Sequence, residues 1–171
     1  MIIWLIGISG AGKSTVAKAL LEMLRRNHRT ALLLDGDDLR KVWGDDLGYD
    51  LTDRQRNHER ISRLCALLAQ EPRLDLVVPA LSIFPELRKW NRCNVPGYFE
   101  VFLDVPLEIA MQRDAKGIYA RAHRGEIRDV AGFDIPFPPP ESADLVLRPP
   151  EVLASPEMIA RQILAEVGAA D

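Results

Sequence analysis

The amino-acid sequence predicts an α/β fold, a parallel five-stranded sheet with helices on both faces. Strand-length apolar runs alternate with longer stretches in which apolar residues recur at helical spacing, the pattern of strands joined by crossover helices. The runs are predominantly apolar, as in strands covered on both sides. The first of them leads directly into a glycine-rich turn and then a helix.

Ile2–Ile6 reads as the first strand, and Val16, Leu20, Met23 and Leu24 place a helix from Lys13 to about Arg26. Residues 31–34 form a second strand that stops at Asp35-Gly36-Asp37. Thr52 is the expected N-cap of a long helix whose core stripe is Ile61, Leu64, Cys65 and Leu68. Residues 74–81 and Tyr98–Leu103 are the third and fourth strands, and Pro106 opens the next helix. Leu145–Leu147 is the fifth strand, and Ser155-Pro156 begins a last helix through Ile159, Ile163 and Leu164. Residues 114–142 show no sustained period and carry the run Pro136-Phe137-Pro138-Pro139-Pro140. A loop of that length inside a compact domain points to a lid.

The 171 residues suit one domain spanning 1–171. At 47% hydrophobic and 27% charged, the chain can build a core and is too polar to be a membrane span or a disordered tail. Lys+Arg 22 against Asp+Glu 25 gives a net charge of -3, without the basic footprint of a nucleic-acid binder. No run approaches the roughly 20 apolar residues of a membrane span, and the N-terminus lacks the basic flank of a secretory signal. The sequence thus predicts a cytoplasmic protein without membrane or nucleic-acid partners. Cys65 and Cys93 have no partner at ligand spacing, so neither a disulfide framework nor a zinc site is expected.

Residues 7–14, GISGAGKS, match G-x-x-x-x-G-K-[ST] between a strand and a helix, the context that marks a phosphate-binding P-loop. Its glycines let backbone N–H groups turn inward around phosphate oxygens, and the helix N-terminus adds its positive end. Gly10, Ala11, Gly12, Lys13, Ser14 and Thr15 are therefore expected to hold ATP. Lys13 would reach the β- and γ-phosphates, and the Ser14 hydroxyl would ligate Mg²⁺. No N-K-x-D string reads guanine, and no acid ends the third strand as in motor ATPases; the acids are Asp35 and Asp37 after the second. That pattern favours a small-molecule kinase over a switch or a motor.

The long helix carries Arg54, Asn57 and Arg60. At about 100° per residue the two Arg fall roughly 60° to either side of Asn57. Two guanidiniums near a core-facing stripe are costly unless anions match them. Either neighbouring Asp residues do so, or a bound phosphate or sulfate does, which Arg forks fit bidentately. Asp37 is the residue expected to orient an attacking hydroxyl, since phosphoryl transfer needs positioning more than a strong base. Arg40, one turn beyond, reaches the same anion. Lys116, Arg121, Arg124 and Arg128 are lid residues that could close over a triphosphate, and Tyr49, Phe133 and Phe137 are candidate stacking surfaces for a base.

Together these strings resemble the adenylylsulfate kinase (APS kinase) family. GISGAGKST, DGDDLR, LGYD, the Asp53-Arg54, Asn57 and Arg60 spacing of D-R-x-x-N-x-R, FEVFLDVPLEIAMQRDAKGIYARAHRGEI and GFDIPFPPPE occur in family order. The resemblance implies transfer of phosphate from MgATP to the 3′-hydroxyl of adenosine 5′-phosphosulfate, by an often dimeric enzyme. It assigns Lys13 and Asp37 to catalysis and adds Arg113 to the ATP site. It places Asp35, Asp37, Arg40, Tyr49, Arg54, Asn57, Arg60, Leu81, Ser82 and Lys116 around the acceptor, with Tyr49 stacking on adenine. Two positions depart: Val130 stands where the family has a second Phe, and Pro85 replaces the first Arg of S-P-Y-R-x-x-R, leaving Arg88 as the second. They motivate an alternative acceptor on the same scaffold, another nucleotide anhydride such as a cytidine diphosphoramidate. A non-catalytic ATP-binding module is the remaining alternative, opposed by the joint presence of Lys13, Ser14 and Asp37.

Overall fold

The computed structural model describes residues 1–170. It contains β1 (Ile2–Ile6), α1 (Lys13–Arg26), β2 (Thr30–Leu33), α2 (Gly36–Val42), α3 (Leu51–Leu68) and β3 (Leu74–Ala80). There follow α4 (Pro85–Asn94), β4 (Tyr98–Leu103), α5 (Leu107–Arg113), α6 (Ile118–His123), β5 (Leu145–Leu147) and α7 (Pro156–Ala170). The strands form one parallel sheet in the order β2-β3-β1-β4-β5, as the alternation of apolar runs and helices predicts.

β1 is central because every one of its residues is apolar and can be buried on either side. Ile3 and Leu5 join Val77, Val101 and Leu103 in one core, closed by α1 and α7. Ile2, Trp4 and Ile6 join Leu76 and Val78 in the other, closed by Ile61 and Cys65 of α3. Because the strands are parallel, the turns after β1, β2, β3 and β4 all emerge at one edge, where ligands bind in open α/β sheets. The glycine-rich loop, Asp35–Asp37, Leu81–Ser82 and the start of α5 are thereby brought together from distant parts of the chain.

Several local expectations are corrected. α3 is capped by Asp50, whose carboxylate accepts the Asp53 N–H at 2.8 Å, and Thr52 already lies inside the helix. An Asp one residue before the helix satisfies an orphan donor better than a Thr already inside the first turn. α2 and α4 have no clean apolar period: the buried face of α4 is Leu87, Arg88 and Asn91, so polar side chains conceal it. The 114–142 segment contains α6 and an isolated bridge between Ala131 and Ile135. It is pinned at both ends. Tyr119 donates to the Ser9 carbonyl at 2.9 Å, and Arg88 donates to the Pro138 carbonyl at 2.9 Å. Phe137 stacks on Phe102, while Phe133 packs edge-on against Tyr119 and His123. Both rings are thus packing residues.

Gly10 has φ +76, and a Cβ built there would lie 2.7 Å from the Ala110 carbonyl oxygen of α5. Gly10→Ala therefore strains the backbone and pushes the loop off α5, and we expect a loss of about 1–3 kcal/mol in urea denaturation. An unchanged midpoint would show that the loop is not seated on α5.

Candidate active site

The C-terminal edge of the sheet opens into a cavity of about 920 Å³, at the upper end of the roughly 300–1,000 Å³ common for ligand sites. Among the sequence-predicted residues, Gly10, Ala11, Gly12, Lys13, Ser14, Thr15, Asp35, Asp37, Arg40, Tyr49, Arg54, Asn57, Leu81, Ser82, Arg113 and Lys116 all line it. Arg60 does not.

On the phosphate-loop side, α1 starts at Lys13 behind Gly12, which has no side chain to cap the helix, so its first N–H groups stay open toward the cavity. Lys13 folds back and donates to the carbonyls of Gly7 (2.7 Å) and Ile8 (2.9 Å). Burial, reinforced by the charge of Lys116, pushes its ammonium down to about 8. The Ser14 hydroxyl donates to Asp35 at 2.9 Å, and the other Asp35 oxygen caps α2 by accepting the Asp37 N–H at 3.0 Å. One acid thus holds both the loop hydroxyl and the helix that carries the other. That other acid, Asp37, is free to face the cavity and is met by Lys116 from the opposite wall at 2.7 Å. The hydrogen bond to Asp37 raises the Lys116 ammonium above its ordinary value.

The second half of the cavity is built around Tyr49. Arg40 lies over its ring at 4.7 Å and Arg54 at 5.9 Å. Arg40 donates to the carbonyls of Gly48 (2.6 Å) and Leu47 (3.4 Å), and Arg54 donates to that of Tyr49 (2.6 Å). Neither has a carboxylate ion-pair partner among the described residues. Burial, followed by the charge of Arg40, lowers the Arg54 guanidinium from its ordinary value. Asn57 beside them is buried, and its Oδ1 has no partner.

Arg60 behaves differently. It forms a two-pronged pair with Asp46 at 2.7 and 2.6 Å, with its guanidinium 5.6 Å from the Trp43 ring. The reason lies in the helix phase. The buried residues of α3 are Asn57, His58, Ile61, Ser62 and Cys65, so at about 100° per residue Arg54 sits at the centre of the stripe and Arg60 about 130° away. Centring the stripe on Leu64 and Leu68, both only partly buried, misplaces it. Arg88 likewise stays out of the cavity, on the Pro138 carbonyl, and Arg124 is held by Glu126 on the lid surface.

The sequence reading missed one wall altogether: Val152, Ala154, Pro156 and Ile159, from the turn before α7 and its first residues. Ser155-Pro156 marks a helix start but carries no signal that the chain's end returns to the phosphate loop. His58 was missed too, because an isolated His has no ligand spacing to draw notice. In all, Lys13, Arg40, Arg54, Arg113, Lys116, Arg121 and Arg128 face only Asp35, Asp37 and Asp114 across the cavity, a strongly cationic site in a chain of net charge -3. Such a site takes polyanions.

The adenylylsulphate kinase family model matches residues 1–148. The chain belongs to that family. It is 44% identical over 149 residues to the adenylyl-sulfate kinase of Paraburkholderia xenovorans, covering 85% of this chain and 82% of the relative. It is 37% identical over 149 residues to that of Saccharomyces cerevisiae, covering 85% and 74%. The solved Mycobacterium tuberculosis APS kinase CysC, in complex with AMPPNP and APS, superposes with a TM-score of 0.89 at 36% identity, covering 98% of this chain and 96% of that one. The shikimate kinase of Aquifex aeolicus, at 20% identity and a TM-score of 0.59, shares the fold. No helix among the described residues is long and apolar enough to cross a membrane.

Bound triphosphate stabilises the Lys13 ammonium, so the complex holds a proton that the free protein releases above about pH 8. ATP affinity should be level below that pH and fall by up to about tenfold per unit above it, measured by calorimetry from pH 7 to 9.5. Affinity independent of pH would mean that Lys13 stays charged in the free protein.

Proposed function

We propose that the chain is an adenylylsulfate kinase that transfers the γ-phosphoryl group of ATP to the 3′-hydroxyl of adenosine 5′-phosphosulfate, giving ADP, a proton and 3′-phosphoadenosine 5′-phosphosulfate. Residues 1–171 act as one kinase domain, and 114–142 as its lid. The observation that carries the reading is the Arg40–Arg54 pair on Tyr49, with no ion-paired carboxylate among the described residues and sharing one cavity with the phosphate loop. Two guanidiniums held only by carbonyls retain N–H donors for an oxyanion, and the phosphosulfate supplies one.

The donor's phosphates lie in the loop, where the open N–H groups of α1 and Lys13 hold the β- and γ-oxygens once Lys13 leaves the Gly7 and Ile8 carbonyls. Arg113, whose Nη1 would lie 3.8 Å from a Cβ at Gly12, adds charge from α5. The Val152–Ala154–Pro156 wall offers an apolar surface to the donor base. Ser14 and Asp35 present two hard oxygens 2.9 Å apart, which suits Mg²⁺, an ion that keeps several waters and few protein ligands. When bound, Mg²⁺ supplies charge neutralisation at the β- and γ-phosphates.

On the acceptor side Tyr49 provides one face for adenine, and Val130, buried in the opposite wall, provides an apolar but non-aromatic one. Arg40, Arg54 and Asn57 hold the phosphosulfate, and Leu81 and Ser82 close the pocket floor. Asp37 accepts the hydrogen bond of the 3′-hydroxyl and aims its oxygen at the γ-phosphorus; Lys116 then passes from Asp37 to the transferring phosphoryl group. Lid closure over these groups excludes the water that would hydrolyse ATP.

The test is purified protein with MgATP and adenosine 5′-phosphosulfate, scored for a 3′-phosphorylated product, with a cytidine diphosphoramidate acceptor in competition. Turnover of the adenine substrate, abolished in Lys13→Ala, is expected; preference for the cytosine acceptor would transfer the assignment to the second anhydride. Arg54→Ala should raise the acceptor KM roughly tenfold or more, as loss of a charged hydrogen bond does. Arg60→Ala, by contrast, should stay within about twofold, as for a surface ion pair. Equal effects of the two would contradict the assignment of Arg60 to the scaffold.

A further inference from the structure

Behind the pocket floor lies a buried aromatic array that the acceptor reading does not use. Trp4, at the middle of β1, is fully buried, and its indole N–H donates to the Ser82 hydroxyl at 2.8 Å. On one side its ring is stacked on His58 of α3, with centroids 5.4 Å apart and 24° between planes. On the other it is tilted against Tyr98, at 5.8 Å and 53°. Ser82 is itself buried, lines the cavity and has φ +53, a left-handed conformation uncommon for a residue with a Cβ.

We propose that Trp4 is a positioning residue for the acceptor: its N–H occupies a lone pair of the Ser82 hydroxyl, so that the hydroxyl's own proton is directed into the cavity at the phosphosulfate. An indole N–H can only donate, so Ser Oγ must accept, and its single O–H then needs another partner. Among the described residues the Ser82 hydroxyl makes no second hydrogen bond. A buried hydroxyl proton without an acceptor is costly, and an anionic guest supplies that acceptor. His58 serves as the plate that fixes the indole plane. Burial, aided by the nearby charge of Arg88, pushes its imidazole down to about 3, so it stays neutral. The inference rests on the acceptor assigned above and extends it to residues one layer deeper.

The test compares wild type, Trp4→Phe, Ser82→Ala and the double variant in the phosphotransfer assay. Trp4→Phe keeps the stack and removes the donor; it should raise the acceptor KM about fivefold, the scale of one neutral hydrogen bond, with kcat and the KM for ATP within twofold of wild type. Ser82→Ala should raise the acceptor KM by a similar factor, and the double variant should be no worse than either alone. Multiplying effects, or a Trp4→Phe change that falls equally on ATP, would reduce Trp4 to packing and overturn the proposal. Should Trp4→Phe fail to fold, the wild-type indole N–H resonance of Trp4 decides: it should shift on adding adenosine 5′-phosphosulfate and not on adding ADP, and a resonance unmoved by the acceptor overturns the proposal. Wild type inactive on this acceptor would overturn the functional reading itself, an outcome distinct from active wild type with Trp4→Phe unchanged.

Discussion

Two guanidiniums held against one phenol ring, with no carboxylate in direct contact among the described residues, set the character of the whole cavity. Arg40 and Arg54 repel each other, and burial depresses Arg54 further. They stay because Leu47, Gly48 and Tyr49 offer main-chain carbonyls that satisfy some of their donors without cancelling charge. The surplus is stored for a guest. Its counterpart across the cavity is Lys13, also folded onto carbonyls and also depressed. Lys13, Arg40 and Arg54 follow one rule: each is anchored by neutral oxygens, which hold it in place while leaving its charge for the ligand.

The two carboxylates between these halves divide the work. Asp35 holds Ser14 and the start of α2, next to the proposed Mg²⁺ position, while Asp37 is left to Lys116. A half-exposed ion pair of this kind is worth little, and so it is easily exchanged for a substrate hydroxyl and a phosphoryl group. The strong contacts sit at the roots of the lid, where Tyr119 grips the phosphate loop and Arg88 and Phe137 fix the returning leg. At the start of the segment, Lys116 is tied to Asp37 by the contact that the reaction would replace.

Much of this was legible in the residues. The parallel sheet follows from predominantly apolar runs alternating with helical stretches, and the phosphate loop from a motif in its structural context. Arg54 and Asn57 follow from a helical stripe. What escaped did so for physical reasons. Arg60 was drawn into the site because apolar residues were used to centre the stripe, whereas the buried face includes Asn57, His58 and Ser62, which hydropathy counts as surface. α4 was hidden in the same way by buried Arg88 and Asn91. The wall from Val152 to Ile159 depends on α7 packing beside α1, a contact between chain ends that no local pattern announces. Trp4 reads as one more apolar residue of a buried strand; only the fold places its N–H against Ser82.

The structure of the protein bound to adenosine 5′-phosphosulfate and a non-hydrolysable ATP analogue tests the central claim most directly. Phosphosulfate oxygens within hydrogen-bonding distance of Arg40 and Arg54, with the 3′-hydroxyl on Asp37, are the predicted result. An anion seated elsewhere, with both guanidiniums engaged only by the carbonyls of Leu47, Gly48 and Tyr49, would contradict it.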